Sequence, residues 1–97
     1  MYMTLYMVSQ GVQEMSQKEK LIKKYTTYPL PVEVDFEEFI KYLEICGFKK
    51  ISIKGSHHIF IHNNFKGVFS VATMNGKKVK STYIKMANDI IKKGEKI

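Results

Sequence analysis

Two hydrophobic periods alternate along this chain, one helical and one of strands. From Glu14 to about Thr27 the apolar residues Met15, Leu21, Ile22 and Tyr25 share one helical face, with Lys18, Lys20, Lys23 and Lys24 largely off it. Glu14–Lys18 and Glu19–Lys23 stand four apart in the favourable orientation. Pro29 forbids continuation, because the residue before a proline is pushed out of the helical region. Tyr28-Pro29-Leu30-Pro31 therefore reads as an extended connector. Phe36, Phe39, Ile40, Leu43 and Cys46 then repeat at helical spacing, with Asp35 as N-cap, Glu38 completing a capping-box pattern and Gly47 as the stop. Three strands follow, Phe48–Ile53, His57–His62 and Val68–Ala72, separated by Gly55-Ser56 and by Asn63–Gly67. After a polar loop at Met74–Lys78, Ser81 caps a last helix with Tyr83, Ile84, Ala87, Ile90 and Ile91 on one face and Gly94 near its end.

The order helix, helix, three strands, helix predicts an α+β fold. Loops this short make the strands an antiparallel meander, with the second and last helices over one face. The first helix is an addition, expected to pack on the domain because its apolar face needs covering. The central strand leaves its own facing open: Ile59 and Ile61 share one side, His58, Phe60 and His62 the other. Residues 1–12 predict no firm element, and the chain has no repeats.

At 97 residues there is room for one small domain. All sixteen basic residues are lysine. From Phe48 onward eleven lysines meet two acids (+9), whereas before it five lysines meet seven acids (−2). Lysine supplies a mobile point charge, suited to phosphate rather than to bidentate reading of base edges. A basic half fits a polyanionic or acidic partner, or simply a solvated lysine surface. The single cysteine, Cys46, excludes an intrachain disulfide and suits a reducing compartment, as a small core residue. The uncharged run Met1–Gln13 lacks the basic start and cleavage site of a signal peptide and is too short and polar to span a membrane. With methionines at 1, 3, 7 and 15, the natural start could lie later.

Candidate chemistry gathers at Lys54-Gly55-Ser56-His57-His58-Ile59-Phe60. This is either a plain hairpin with polar residues at its edge, or a histidine poised beside lysine for acid–base work on an anion. His58 and His62 would lie roughly 13 Å apart on one side of a strand rising about 3.3 Å per residue, with His57 on the other side. One zinc ion cannot gather them, so no metal site is expected. No glycine triad or phosphate loop is present, and Ser56-His57 adjacency makes no triad, since neighbouring strand side chains point apart. What remains is one imidazole acting on phosphate. RNA carries its own nucleophile in the 2′-hydroxyl, and Lys54, Lys77, Lys78 and Lys80 could neutralise phosphate charge.

Several segments together resemble the HicA toxin family: Asp35–Leu43, Gly47-Phe48, Lys54–Phe60, and Gly76-Lys77-Lys78-Val79-Lys80 ahead of a helix. The likeness spans about residues 33–93. It implies a fold like the double-stranded-RNA-binding domain, with an α-β-β-β-α core in residues 33–97 and an N-terminal extension at 1–32. It further implies a cytoplasmic bacterial toxin that cleaves mRNA without metal or cofactor and is neutralised by a HicB antitoxin covering its site, with no homo-oligomer of the free toxin. The catalytic histidine would be His57. Lys54, Gly55, Ser56, Lys77, Lys78 and Lys80 would be RNA contacts. His58 is expected to be structural or a secondary RNA contact, and His62 an exposed strand-end residue. Where many members carry Pro-x-His after the third strand, this chain has Ala72-Thr73-Met74. The alternative on the same fold is a non-catalytic RNA-binding module.

Overall fold

The computed structural model describes residues 16–95. The readings made for Met1–Met15, including the Glu14–Lys18 pair, lie outside them. The first described helix, α1 (Gln17–Thr26), starts one turn later than its periodicity suggested. Ser16 caps it: Ser16 Oγ accepts from the Glu19 amide at 3.1 Å, and the Glu19 carboxylate accepts from the Ser16 amide at 3.0 Å. Glu19 is thus used in capping and does not pair with Lys23. The ion pair among the described residues is Lys24–Glu38, at 2.7 Å.

A short strand β1 (Glu33–Asp35) leads into α2 (Phe36–Ile45). Asp35 Oδ2 accepts from the Glu38 amide at 3.2 Å, so the cap forms as expected. The reciprocal half of the capping box does not form. Glu38 is drawn away by Lys24 Nζ and by the Tyr25 hydroxyl, which donates to it at 2.9 Å. At the other end Gly47 takes φ +97°, with its amide on Glu44 O at 3.1 Å and the Phe48 amide on Leu43 O at 2.9 Å. That is the Schellman ending.

Three antiparallel strands follow, β2 (Lys49–Lys54), β3 (His57–His62) and β4 (Phe65–Ala72), in the spatial order β2-β3-β4. The fold is the expected α+β arrangement, with differences at the ends of its elements; β2 itself is shifted one residue from the expected Phe48–Ile53. β4 begins three residues early, because Phe65 pairs with His62 and the turn shrinks to Asn63-Asn64. The segment expected to be loop up to Lys78 instead enters a strand, β5 (Lys78–Lys80), which pairs antiparallel with β1 as a separate two-stranded ladder. The last helix, α3 (Ser81–Glu95), counts Ser81 as its first residue rather than its cap; the Ser81 amide donates to Val32 O at 3.0 Å.

The core resolves the facing of β3. Phe60 is buried with Phe69 and Val71 of β4 beneath the helices, whereas Ile61 is exposed. His58 and His62 share the helix-facing side. The His58 ring lies 4.4 Å from that of Phe36, and the His62 ring 4.5 Å from that of Phe48. α1 belongs to this core. The fully buried Tyr25 ring stacks 4.6 Å from Tyr42 and 5.9 Å from Phe39. Buried Asn88 of α3 accepts from the Tyr42 hydroxyl at 2.6 Å and donates to Tyr25 O at 2.9 Å, so its amide is satisfied at both ends. Cys46 packs partly buried against the core, and burial pushes its thiol pKa up.

Candidate active site

The β2–β3 hairpin carries the candidate site. Gly55 and Ser56 are the whole loop between the paired residues Lys54 and His57. Gly55 takes φ +61° at the first loop position, where the II′ hairpin turn requires glycine. A Cβ there would meet nothing within 4 Å, so backbone conformation rather than space demands the glycine.

His57 opens β3 on the face away from the helices, because side chains alternate and Phe60 points into the core. Its cross-sheet neighbours are Lys54 on β2 and Ala72 on β4. Directly paired residues hold their Cβ atoms about 4.5–5.5 Å apart. The Lys54 ammonium and the His57 imidazole therefore rise side by side from an exposed sheet face.

A second segment is tied to this turn. The Thr73 amide donates to Ser56 O at 3.2 Å. Met74 then bridges to Lys78 by reciprocal backbone bonds of 2.8 and 3.2 Å. Asn75 (φ 54°) and Gly76 (φ 71°) form the tip, both left-handed as in a type I′ turn. The chain carrying Lys77 and Lys78 is thereby anchored beside the glycine–serine turn. Thr73, the connecting residue, was not singled out from sequence; the Asn-Gly pair two residues later was the available signal for a tight return.

The expected lysines divide. Lys54 stands against His57. Lys77 and Lys78 flank the second turn. Lys78 and Lys80 are Cα partners of Asp35 and Glu33 in the β1–β5 ladder, so each is set opposite a carboxylate. That opposition partly offsets the positive field these two lysines would offer a phosphate.

The three histidines also divide. His58 is half-buried on Phe36, its Nδ1 is enclosed without a hydrogen-bond partner, and its pKa is lowered, first by desolvation and then by Lys50. It is a packing residue. His62 is not the exposed strand-end residue expected. Its Nδ1 accepts from the Asn64 amide at 3.0 Å, which leaves Nε2 as the donor to Cys46 O at 2.8 Å. These two bonds select the Nε2–H tautomer and tie the end of α2 to the β3–β4 turn. His57 alone of the three is exposed. Among the described residues no three histidine, cysteine, aspartate or glutamate side chains converge as a metal site would need.

Compared with protein-family models, residues 36–93 match the HicA toxin of bacterial toxin–antitoxin systems. The chain belongs to the HicA toxin family. Membership makes it the toxin half of such a system, with an antitoxin as its partner. The match begins at Phe36, the first residue of α2, so α1 and β1 of this HicA protein lie ahead of the matched segment. Comparison with curated proteins and with solved structures returned no match. No helix among the described residues of this HicA chain is long and apolar enough to cross a membrane. At the position where the resemblance led to a second histidine, the half-buried Met74 occupies the bridge to Lys78, one residue past the Thr73–Ser56 link.

Proposed function

We propose that this HicA protein is a metal-independent endoribonuclease that cleaves mRNA in the bacterial cytoplasm and is held in check by a HicB-type antitoxin covering His57. One observation carries the reading. Of three histidines in a HicA chain, two are committed to packing or hydrogen bonds, and the third stands exposed beside a lysine at a glycine turn.

The chemistry asks little more. The 2′-oxygen of RNA attacks the adjacent phosphorus, the P–O5′ bond breaks, and a 2′,3′-cyclic phosphate and a 5′-hydroxyl result. His57 moves a proton, either from the 2′-hydroxyl or to the departing 5′-oxygen, and water exchanges the other. Lys54 offsets the charge that builds on the phosphoryl oxygens, with Lys77 and Lys78 holding the backbone from the neighbouring turn. Gly55 and Ser56 bring the phosphate close to the turn backbone, and Lys80 acts at longer range.

The test is incubation of antitoxin-free protein with long single-stranded RNA in excess EDTA, beside His57→Ala checked by circular dichroism. Cleavage by the parent protein alone supports the reading. Equal cleavage by both moves the activity away from His57. Binding by both without cleavage makes the protein an RNA-binding module instead.

A further inference from the structure

We propose that the free edge of β2 accepts an extended acidic segment of a partner protein as a fourth strand. β2 ends the three-stranded sheet, and its pairing among the described residues is with β3 only. Its outer row of amides and carbonyls is the template that strand addition uses. The sequence of the edge is Lys-Lys-Ile-Ser-Ile-Lys, with Ile51 half exposed and Ile53 57 % exposed. Exposed isoleucines between lysines suit a partner strand that alternates apolar and acidic residues.

Charge decides against a second copy. Pairing β2 with β2 would set Lys49, Lys50 and Lys54 of one chain against the same three of another, and like charges across a ladder destabilise it. None of the three is ion-paired among the described residues. The opposite edge, β4, offers only Lys66 over eight residues and is the poorer acceptor. The bulge between Lys50 and Ser52 breaks the ladder within β2, so Ser52–Lys54 is the regular part of the edge. A strand seated there runs beside the Gly55-Ser56 turn and His57. Docking on the edge is independent of the proposed cleavage; only a consequent block of RNA access rests on that reading.

The probe is a ten-residue capped peptide alternating valine and glutamate, added to the full chain while amide hydrogen exchange is followed by NMR. The control has the same sequence with every second backbone nitrogen methylated, which keeps the charge and removes ladder donors. The expected result is exchange slowed at least tenfold by the first peptide only at the amide of Ile53, which alternation in the ladder turns outward between the β3-facing Ser52 and Lys54. A Lys49→Glu/Lys50→Glu variant with an unchanged circular dichroism spectrum should lose at least tenfold in affinity. Equal binding of the methylated peptide, or protection elsewhere, overturns the proposal. Stronger protection of the same amide by a single-stranded RNA oligonucleotide overturns it too, assigning the edge to nucleic acid. None of these readouts needs cleavage, so failure here and failure of the nuclease reading are separately visible.

Discussion

Removing the Asn88 side chain should unhook α1 from the domain. Asn88 is 7 % exposed and serves two buried partners, accepting from the Tyr42 hydroxyl and donating to Tyr25 O. Asn88→Ala strands a hydroxyl donor and a carbonyl acceptor. A buried group left unpaired costs about 1–3 kcal/mol. Two such groups, allowing for partial relaxation, give a loss of about 2–4 kcal/mol, against roughly 5–15 kcal/mol for a whole domain. At about 4–8 °C per kcal/mol for a chain of this size, Tm should fall by roughly 10–25 °C. Urea unfolding, with m compared between variants, measures the loss. A double-mutant cycle assigns it. Tyr42→Phe removes the stranded hydroxyl, so the double variant should be less destabilised than the sum of the singles by about 1 kcal/mol. A loss within about 0.5 kcal/mol for Asn88→Ala, the range typical of surface sites, would refute the reasoning. So would strict additivity in the cycle.

Other predictions are more local. His57→Ala, at an exposed position, should change stability by less than about 0.5 kcal/mol, checked by thermal unfolding, so that lost cleavage cannot be blamed on the fold. Gly47→Ala should destabilise by about 1–2 kcal/mol in urea, because φ +97° disfavours any Cβ and the new methyl would sit 3.3 Å from His62 Nε2. The hydrogen bond from Lys24 holds the Glu38 pKa below the usual glutamate value. Its contribution is therefore fully present above the ordinary glutamate range and is lost as pH falls through the lower folded value; Glu38→Gln should flatten that acid limb in unfolding measured from pH 7 downward. Lys54→Gln should lower the slope of log K against log salt for single-stranded RNA by about 0.7.

The sequence told most where a residue acts on its neighbours. Asp35, Gly47 and Gly55 do their work within three residues, and each sits where its local chemistry put it. His57 was marked by the turn that precedes it. What could not be read depends on distant partners. Glu38 completes a local capping pattern, yet Lys24 and Tyr25, on another helix, take its carboxylate. β3 offers two isoleucines on one side and two histidines around Phe60 on the other, and any hydrophobicity ranking favours the isoleucines. The helices cover the Phe60 side because Phe36 and Phe48 supply aromatic surfaces against which imidazole rings pack. β1 and β5 are three residues each, too short to show a period, and exist only because they find each other.

The β1–β5 ladder also bears on the order in which the chain is expected to assemble. It joins Glu33–Asp35 to Lys78–Lys80, more than forty positions apart, whereas both hairpins of the main sheet close across two residues. Loop-closure entropy grows with the span enclosed, so the hairpins are expected to form first and the clasp to close after them. Once closed, it makes the segment from α2 through β4 a ring, and the chain enters and leaves that ring at one point, where the Ser81 amide meets Val32 O. α1 and α3 spring from this shared gate. Their meeting through Tyr25 and Asn88 is then a short-range event between neighbours rather than a search across the molecule.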